Sequence, residues 1–201
     1  MAAIDTTSYL KPEWKESYSL WVVPGGTQAA KLQLEIDTLR EAHPGAPPFR
    51  AHVTVLSGIS GPGEAAVAKA AKVAAAVQPY YVSFVNVTRG AIYFQCIYLL
   101  CAKDAKTMAA GAQARAVFGL SPAQPYMPHC SLLYSDMPQG ERDAVVATSH
   151  QRLYGEGSTY NTLLTETGFT VDTIELWYTP GEDTSCASWA KVAEFPLAGS
   201  A

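Results

Sequence analysis

The chain has 201 residues, 48% of them hydrophobic and 16% charged, enough to bury a sizeable core as one domain or as two small fused lobes. Its net charge of −4 argues against a non-specific binder of long nucleic acid, whose affinity comes from Lys and Arg neutralising phosphates, and leaves room for a small anionic substrate met by local donors. No apolar run approaches the ~20 residues of a membrane span, and residues Met1 to Thr7 have neither the basic and apolar regions of a secretory signal nor the Arg of a transit peptide, so a cytoplasmic or nuclear protein without membrane contact is expected.

Taken in order, Tyr18 to Val23 is rich in β-formers and stops at Pro24-Gly25-Gly26, a strand followed by a plain turn. Thr27 to Ala42 has helix-favouring composition and ends at His43-Pro44-Gly45; His43 reads as a solvent-exposed loop residue. Pro47 to Phe49 leads into a strand over residues 50 to 57, and Gly58 to Gly63 is a flexible connection. Glu64 to Val77 is an alanine-rich helix. Tyr80 to Thr88 and Ala91 to Cys101 read as two strands of a hairpin turning at Arg89-Gly90. Ala102 to Phe118 is a helix with Gly119 at its end. Ser121 to Pro125 delivers a further strand, and Pro138 and Gly140 open a helix to about Tyr154 that carries His150 on its surface. After a loop at 155–158, Phe169 to Tyr178 reads as one long strand and Trp189 to Phe195 as the last. Strands joined partly by hairpins and partly by helices predict an α+β fold of antiparallel sheet with helices on its outer faces.

Cys96, Cys101, Cys130 and Cys186 form no C-x-x-C pair and no Cys/His group of zinc spacing. On one strand, Cys96 and Cys101 would sit ~16 Å apart on opposite faces, too far to bridge. All four read as buried reduced thiols, and no metal ligand set is expected.

Two strands carry the chemistry. In Arg50 to Leu56, His52 and Thr54 share one face; in Pro125 to Tyr134, His129 and Ser131 do the same, 77 positions later in a chain with four histidines. An imidazole moves a proton near neutral pH, and a hydroxyl donates to a phosphate oxygen. Cys130, beside His129, is turned away from the imidazole by alternation. Because strand, helix and His-strand recur in that order, two pseudo-symmetric lobes are expected, with the His strands facing one another across a cleft between them.

Paired His-x-[Ser/Thr]-apolar strands mark the two-histidine phosphoesterase superfamily. Within it the chain resembles the plant-type cyclic phosphodiesterases through Tyr18 to Trp21, Pro47 to Val55, Ile92 to Cys96 and Pro125 to Tyr134. The similarity runs over about residues 16–197 and implies a single bilobal domain over residues 1–201. It implies hydrolysis of ADP-ribose 1″,2″-cyclic phosphate to ADP-ribose 1″-phosphate, a step downstream of tRNA splicing, and of nucleoside 2′,3′-cyclic phosphates to 2′-phosphates. It implies no cofactor and no metal. His52 and His129 match the catalytic histidines, Thr54 and Ser131 the phosphate-binding hydroxyls, and Tyr134 a substrate-holding tyrosine that reaches the cleft only where the strand ends or bulges.

Opening a cyclic diester needs a base for water and an acid for the departing oxygen. With ordinary values of ~6.5, one histidine can be neutral while the other is charged. His129 is taken as the base and His52 as the acid, an order the sequence leaves open. Trp21, Phe94 and Tyr126 are candidates to stack on a nucleobase, and each is equally a core residue. A monomer acting on a small nucleotide is expected. Two other readings stand beside it: a phosphodiesterase or ligase for 2′-5′ RNA linkages, disfavoured by the missing basic stripe, and a non-catalytic nucleotide-binding module, disfavoured by two intact motifs.

Overall fold

Among the described residues, eight antiparallel strands form one sheet. The computed structural model describes residues 17–121, 125–155 and 168–200. In chain order the strands are β1 (Tyr18–Val22), β2 (Val53–Ile59), β3 (Tyr80–Arg89), β4 (Ile97–Cys101), β5 (His129–Leu133), β6 (Gly168–Val171), β7 (Thr173–Tyr178) and β8 (Ala190–Pro196). The helices are α1 (Gly26–Ala42), α2 (Gly63–Ala76), α3 (Ala105–Phe118) and α4 (Gln139–Tyr154). The α+β architecture is the one expected.

The two-fold repeat is visible in the pairing. Strands β2, β1, β7 and β8 make one half, and β5, β4, β3 and β6 the other. The halves meet where β2 pairs with β5 through Val53 and Cys130. Each His-strand half sends its crossover helix to the opposite half: α1 packs on β5 and α3 on β2. Helix α2 covers β7 and β8, and α4 covers β3 and β4.

The helices sit where apolar stripes can be buried. On α2, Ala66, Val67, Ala70, Val73 and Ala74 recur at helical spacing and are buried. On the sheet, Leu20, Leu99, Leu132 and Leu176 are fully buried in the same core. Each such side chain contributes about 1.5–3 kcal/mol, so the helix-covered face holds the fold and the other face is free to carry polar groups. One charged pair crosses the helix layer: the carboxylate of Glu35 on α1 accepts from Nε of Arg152 on α4 at 2.8 Å.

Four elements differ from expectation, the first being the His52 strand, which runs over Val53–Ile59 and not 50–57. The second arm of the hairpin begins at Ile97 and not at Ala91, because Tyr93–Gln95 forms a single 3-10 turn. The Gly90 N–H donates to the Gln95 carbonyl at 2.8 Å, and a Cβ at Gly90 would lie 2.5 Å from that oxygen. Only glycine admits this close approach. Helix α3 starts at Ala105, after Asp104 caps the amides of Lys106 and Thr107. The long strand over 169–178 is two: β6 pairs with β3 at one edge of the sheet, while β7 lies between β1 and β8 in the other half. Most of the expected 155–158 loop lies outside the described residues.

Candidate active site

The motif histidines sit where the two halves meet. His52 immediately precedes β2, and His129 is the first residue of β5. With Thr54 and Ser131 they line one cleft of about 360 Å³, together with Trp21, Phe94 and Tyr134.

Both motifs share a device that simple alternation does not reveal. Along β1 and β2, Trp21 pairs with Thr54 and Leu20 with Leu56, so Val55 is an extra residue. Along β4 and β5, Tyr98 pairs with Ser131 and Ile97 with Leu133, so Leu132 is an extra residue. Each β-bulge follows its hydroxyl residue and resets the parity of the strand. The residue three beyond the hydroxyl then faces the cleft: Ser57 after Thr54, Tyr134 after Ser131. Strand β5 also ends at Leu133, so Tyr134 reaches the cleft as the resemblance required.

Each imidazole is held by a carbonyl two residues upstream. Nδ1 of His52 lies 2.6 Å from the Arg50 carbonyl oxygen, and Nδ1 of His129 lies 2.8 Å from that of Met127. A carbonyl only accepts, so both rings carry their proton on Nδ1 and leave Nε2 for the cleft. Each ring also rests on the aromatic paired with its motif hydroxyl. Trp21 stacks on His52 at 3.5 Å between centroids and 12° between planes; Tyr98 lies 5.0 Å from His129, tilted by 59°.

Burial distinguishes the two. Desolvation pushes His52 down from its ordinary value near 6.5 to about 3, and the neighbouring His129 adds to this. His129 is also lowered by burial, partly offset by its bond to the Met127 carbonyl. Burial therefore makes both rings favour the neutral form, unlike the unperturbed pair assumed from sequence. Cys130 is fully buried behind the strand and burial pushes its thiol up to about 12, which removes it as a nucleophile.

The hydroxyls are poised near the rings. Ser131 Oγ donates to the Phe94 carbonyl at 3.4 Å, and the Tyr134 hydroxyl interacts with Ser131. Ser19 and Thr179 share a 2.7 Å hydrogen bond on another wall. Among the described residues, those that line the cleft include no Lys, Arg, Asp or Glu. Among the described residues no group of three His, Cys, Asp or Glu is placed to hold a metal ion.

The aromatic candidates separate. Phe94 lines the cleft from the 3-10 turn and is half-buried. Trp21 is only 2% exposed, and its ring stacks on Trp177 at 4.3 Å as well as on His52. With both faces occupied it has none to offer a base. Tyr126 is absent from the cleft wall: its ring lies where a Cβ on Gly111 of α3 would stand, and its hydroxyl donates to the Thr54 carbonyl at 3.1 Å. Tyr126 is thus a correction, since it supports the site from behind, whereas Trp21 lines the cleft with both ring faces already taken by His52 and Trp177. Trp189, just before β8, was missed. It is half-buried, lines the cleft, and lies 5.8 Å from Phe94 with planes 30° apart. Ser57 was also missed, although setting His52 to Ser57 against His129 to Tyr134 would have exposed it. His43 is half-buried at the end of α1 and His150 is exposed on α4; neither lines the cleft.

Comparison with known proteins agrees with this geometry. A cyclic phosphodiesterase from Arabidopsis thaliana is 27% identical over 179 residues, covering 89% of this chain and 94% of that protein. Crystal structures of Escherichia coli LigT share the fold. The NADP+ complex has a TM-score of 0.58 at 12% identity, and the 3′-AMP complex 0.57 at 9%, each covering 92% of this chain and 99% of the other. The model of the cyclic phosphodiesterase-like proteins matches residues 17–162. The chain belongs to that family and is a phosphoric diester hydrolase.

Proposed function

We propose that the enzyme opens small cyclic phosphodiesters by metal-free two-histidine catalysis, acting on nucleoside 2′,3′-cyclic phosphates to give 2′-phosphates and on ADP-ribose 1″,2″-cyclic phosphate to give the 1″-phosphate. The observation that carries the reading is the duplicated Nδ1–H to carbonyl bond, which leaves two Nε2 atoms for proton transfer beside two motif hydroxyls. A cleft of about 360 Å³ falls in the range of small-ligand sites. Its uncharged donors suit a cyclic diester with a single negative charge. LigT, a relative in fold, has been crystallised with NADP+ and with 3′-AMP, which supports a small nucleotide here.

In this mechanism water attacks phosphorus in line with the departing sugar oxygen. The base histidine takes a proton from the water as the P–O bond forms. The acid histidine gives its proton to the sugar oxygen as the other P–O bond breaks, and solvent restores both rings. The Thr54 and Ser131 hydroxyls donate to the equatorial oxygens. The deeper burial of His52 supports His52 as the neutral base and His129 as the protonated acid, the reverse of the order expected from sequence. An anionic phosphate raises both rings toward the charged form, so binding recharges the acid. Phe94 and Trp189, side by side on the cleft wall, flank the position of the nucleobase.

The test is turnover of purified protein on both cyclic substrates and on a 2′-5′ dinucleotide, with and without EDTA. Hydrolysis of a cyclic compound that EDTA leaves unchanged is expected. Activity confined to the dinucleotide, or activity lost to EDTA and restored by a divalent metal, would overturn the reading. The acid and base separate on an activated substrate: an aryl ester with a good leaving group should rescue His129→Ala but not His52→Ala.

A further inference from the structure

Glu175, at the centre of β7, is a carboxylate that the reaction does not use and that is only 4% exposed. It stands directly across from Trp21 in the pairing of β1 with β7, so both side chains project from the same face of the sheet. Its Oε2 accepts the Trp177 indole N–H at 2.7 Å. Trp177 stacks on Trp21, and Trp21 stacks on His52. A second route leads to the same imidazole. Glu175 accepts from Arg50 Nη1 at 3.3 and 3.4 Å, and the Arg50 carbonyl accepts the hydrogen bond from His52 Nδ1. Lys191 Nζ, 3.4 Å from Oε1, completes the shell.

Building on the proposed role of His52, we propose that Glu175 is a positioning residue: one carboxylate clamps the indole stack against one face of the His52 ring and anchors Arg50, whose carbonyl fixes the ring's tautomer. It touches no substrate. The ion pairs themselves explain little, because Arg50 and Lys191 are 47% and 42% exposed and exposed pairs contribute little net stability. A bare charge balance would also not require the carboxylate to be buried beneath an indole N–H. The two independent paths, one through rings and one through the backbone, converge on one imidazole and so restrict both its tilt and its proton.

The variants separate positioning from folding. Glu175→Ala removes both paths yet leaves Arg50 and Lys191 in contact with solvent, so the fold should be retained, as circular dichroism checks. Glu175→Gln keeps an oxygen for the Trp177 N–H. With a 2′,3′-cyclic nucleotide, Glu175→Ala is expected to lose ~10–10²-fold in kcat with KM within about twofold, as misplacement of a reacting group does. Glu175→Gln should recover most of that loss. Independently of activity, ring ¹⁵N NMR should show His52 as one Nδ1–H tautomer in the wild type and in Glu175→Gln, and as a mixture in Glu175→Ala. Loss of activity in His52→Ala together with full kcat and an unchanged His52 spectrum in Glu175→Ala would overturn this proposal alone. An active His52→Ala protein would overturn it together with the functional reading. Equal impairment of the Gln and Ala variants with a pure tautomer in both would also overturn it.

Discussion

Two imidazoles of one chemical type are made unequal by burial, and that inequality fixes what pH does to the rate. Both rings are shifted below 6.5 in the free enzyme, His52 to about 3. A bell-shaped kcat/KM reports the free enzyme, so its limbs should be displaced to the acid side of an unperturbed histidine pair. The bell of kcat reports the complex, where the anion raises both groups, and should lie at higher pH. A kcat/KM optimum above that of kcat would contradict the assignment. His52→Ala and His129→Ala should each remove nearly all turnover, with the double variant little worse than either, because the pair acts as a unit. Thr54→Ala and Ser131→Ala each delete one donor to the phosphate and should lower the rate ~10²–10³-fold, read in steady-state kinetics. Wild-type kcat/KM in both would mean that the hydroxyls do not meet the phosphate. His43→Ala and His150→Ala, away from the cleft, should stay within a few-fold of wild type.

At the scale of the element, the bulges and one tight turn shape the cleft. Gly90 holds the Tyr93–Gln95 turn by its close approach to the Gln95 carbonyl, and the Phe94 carbonyl from that turn accepts from Ser131. Gly90→Ala should therefore push the turn outward. The overpacking costs about 1–3 kcal/mol, and in a chain of this size each kcal/mol lowers Tm by roughly 2–4 °C. The same variant should raise KM, since Phe94 and Ser131 move together; a Tm and KM equal to wild type would show the turn to be independent of the cleft. The sequence announced the His-strands well, because alternation places His52 with Thr54 and His129 with Ser131 locally. It announced the bulges poorly, because an extra residue is defined only by the partner strand. The division of 168–178 into β6 and β7 was hidden for a similar reason. Its residues are continuously β-forming, and only Asp172, between two strands that pair with opposite halves, marks the break. Trp189 escaped notice because a tryptophan opening an expected strand reads as core, and it borders the cleft only once β8 has closed against β7.

Across the whole molecule, catalysis and acid stability draw on the same buried ring. His52 sits at the seam of the two halves, 3% exposed, and the native state holds it neutral while an unfolded chain would let it charge near 6.5. Between about 3 and 6.5 the unfolded state binds more protons at this position than the native state. Stability therefore falls as pH is lowered through that window, by up to ~1.4 kcal/mol per pH unit for one such group. His129, also lowered, acts in the same direction. The carboxylates shifted below their ordinary range, Asp104, Asp183 and Glu194, lose their contribution as the unfolded chain takes up their protons, from about pH 4.5 downward, and so share only the acid end of that window. At the alkaline end Cys101, Cys130 and Tyr80 are held protonated by burial, so stability should fall again above about pH 9. Thermal unfolding followed by circular dichroism from pH 4 to pH 8 tests the histidine share. Wild-type Tm should decline steadily from pH 7 to pH 4, and His52→Asn, which cannot take a proton, should show a distinctly shallower decline and gain on the wild type as the pH drops. Inorganic phosphate, bound between the rings, should narrow the contrast by favouring the charged histidines in the folded state and so protecting the wild type at low pH. Parallel Tm curves for wild type and His52→Asn over pH 4 to 7 would show that the ring is not desolvated at the seam.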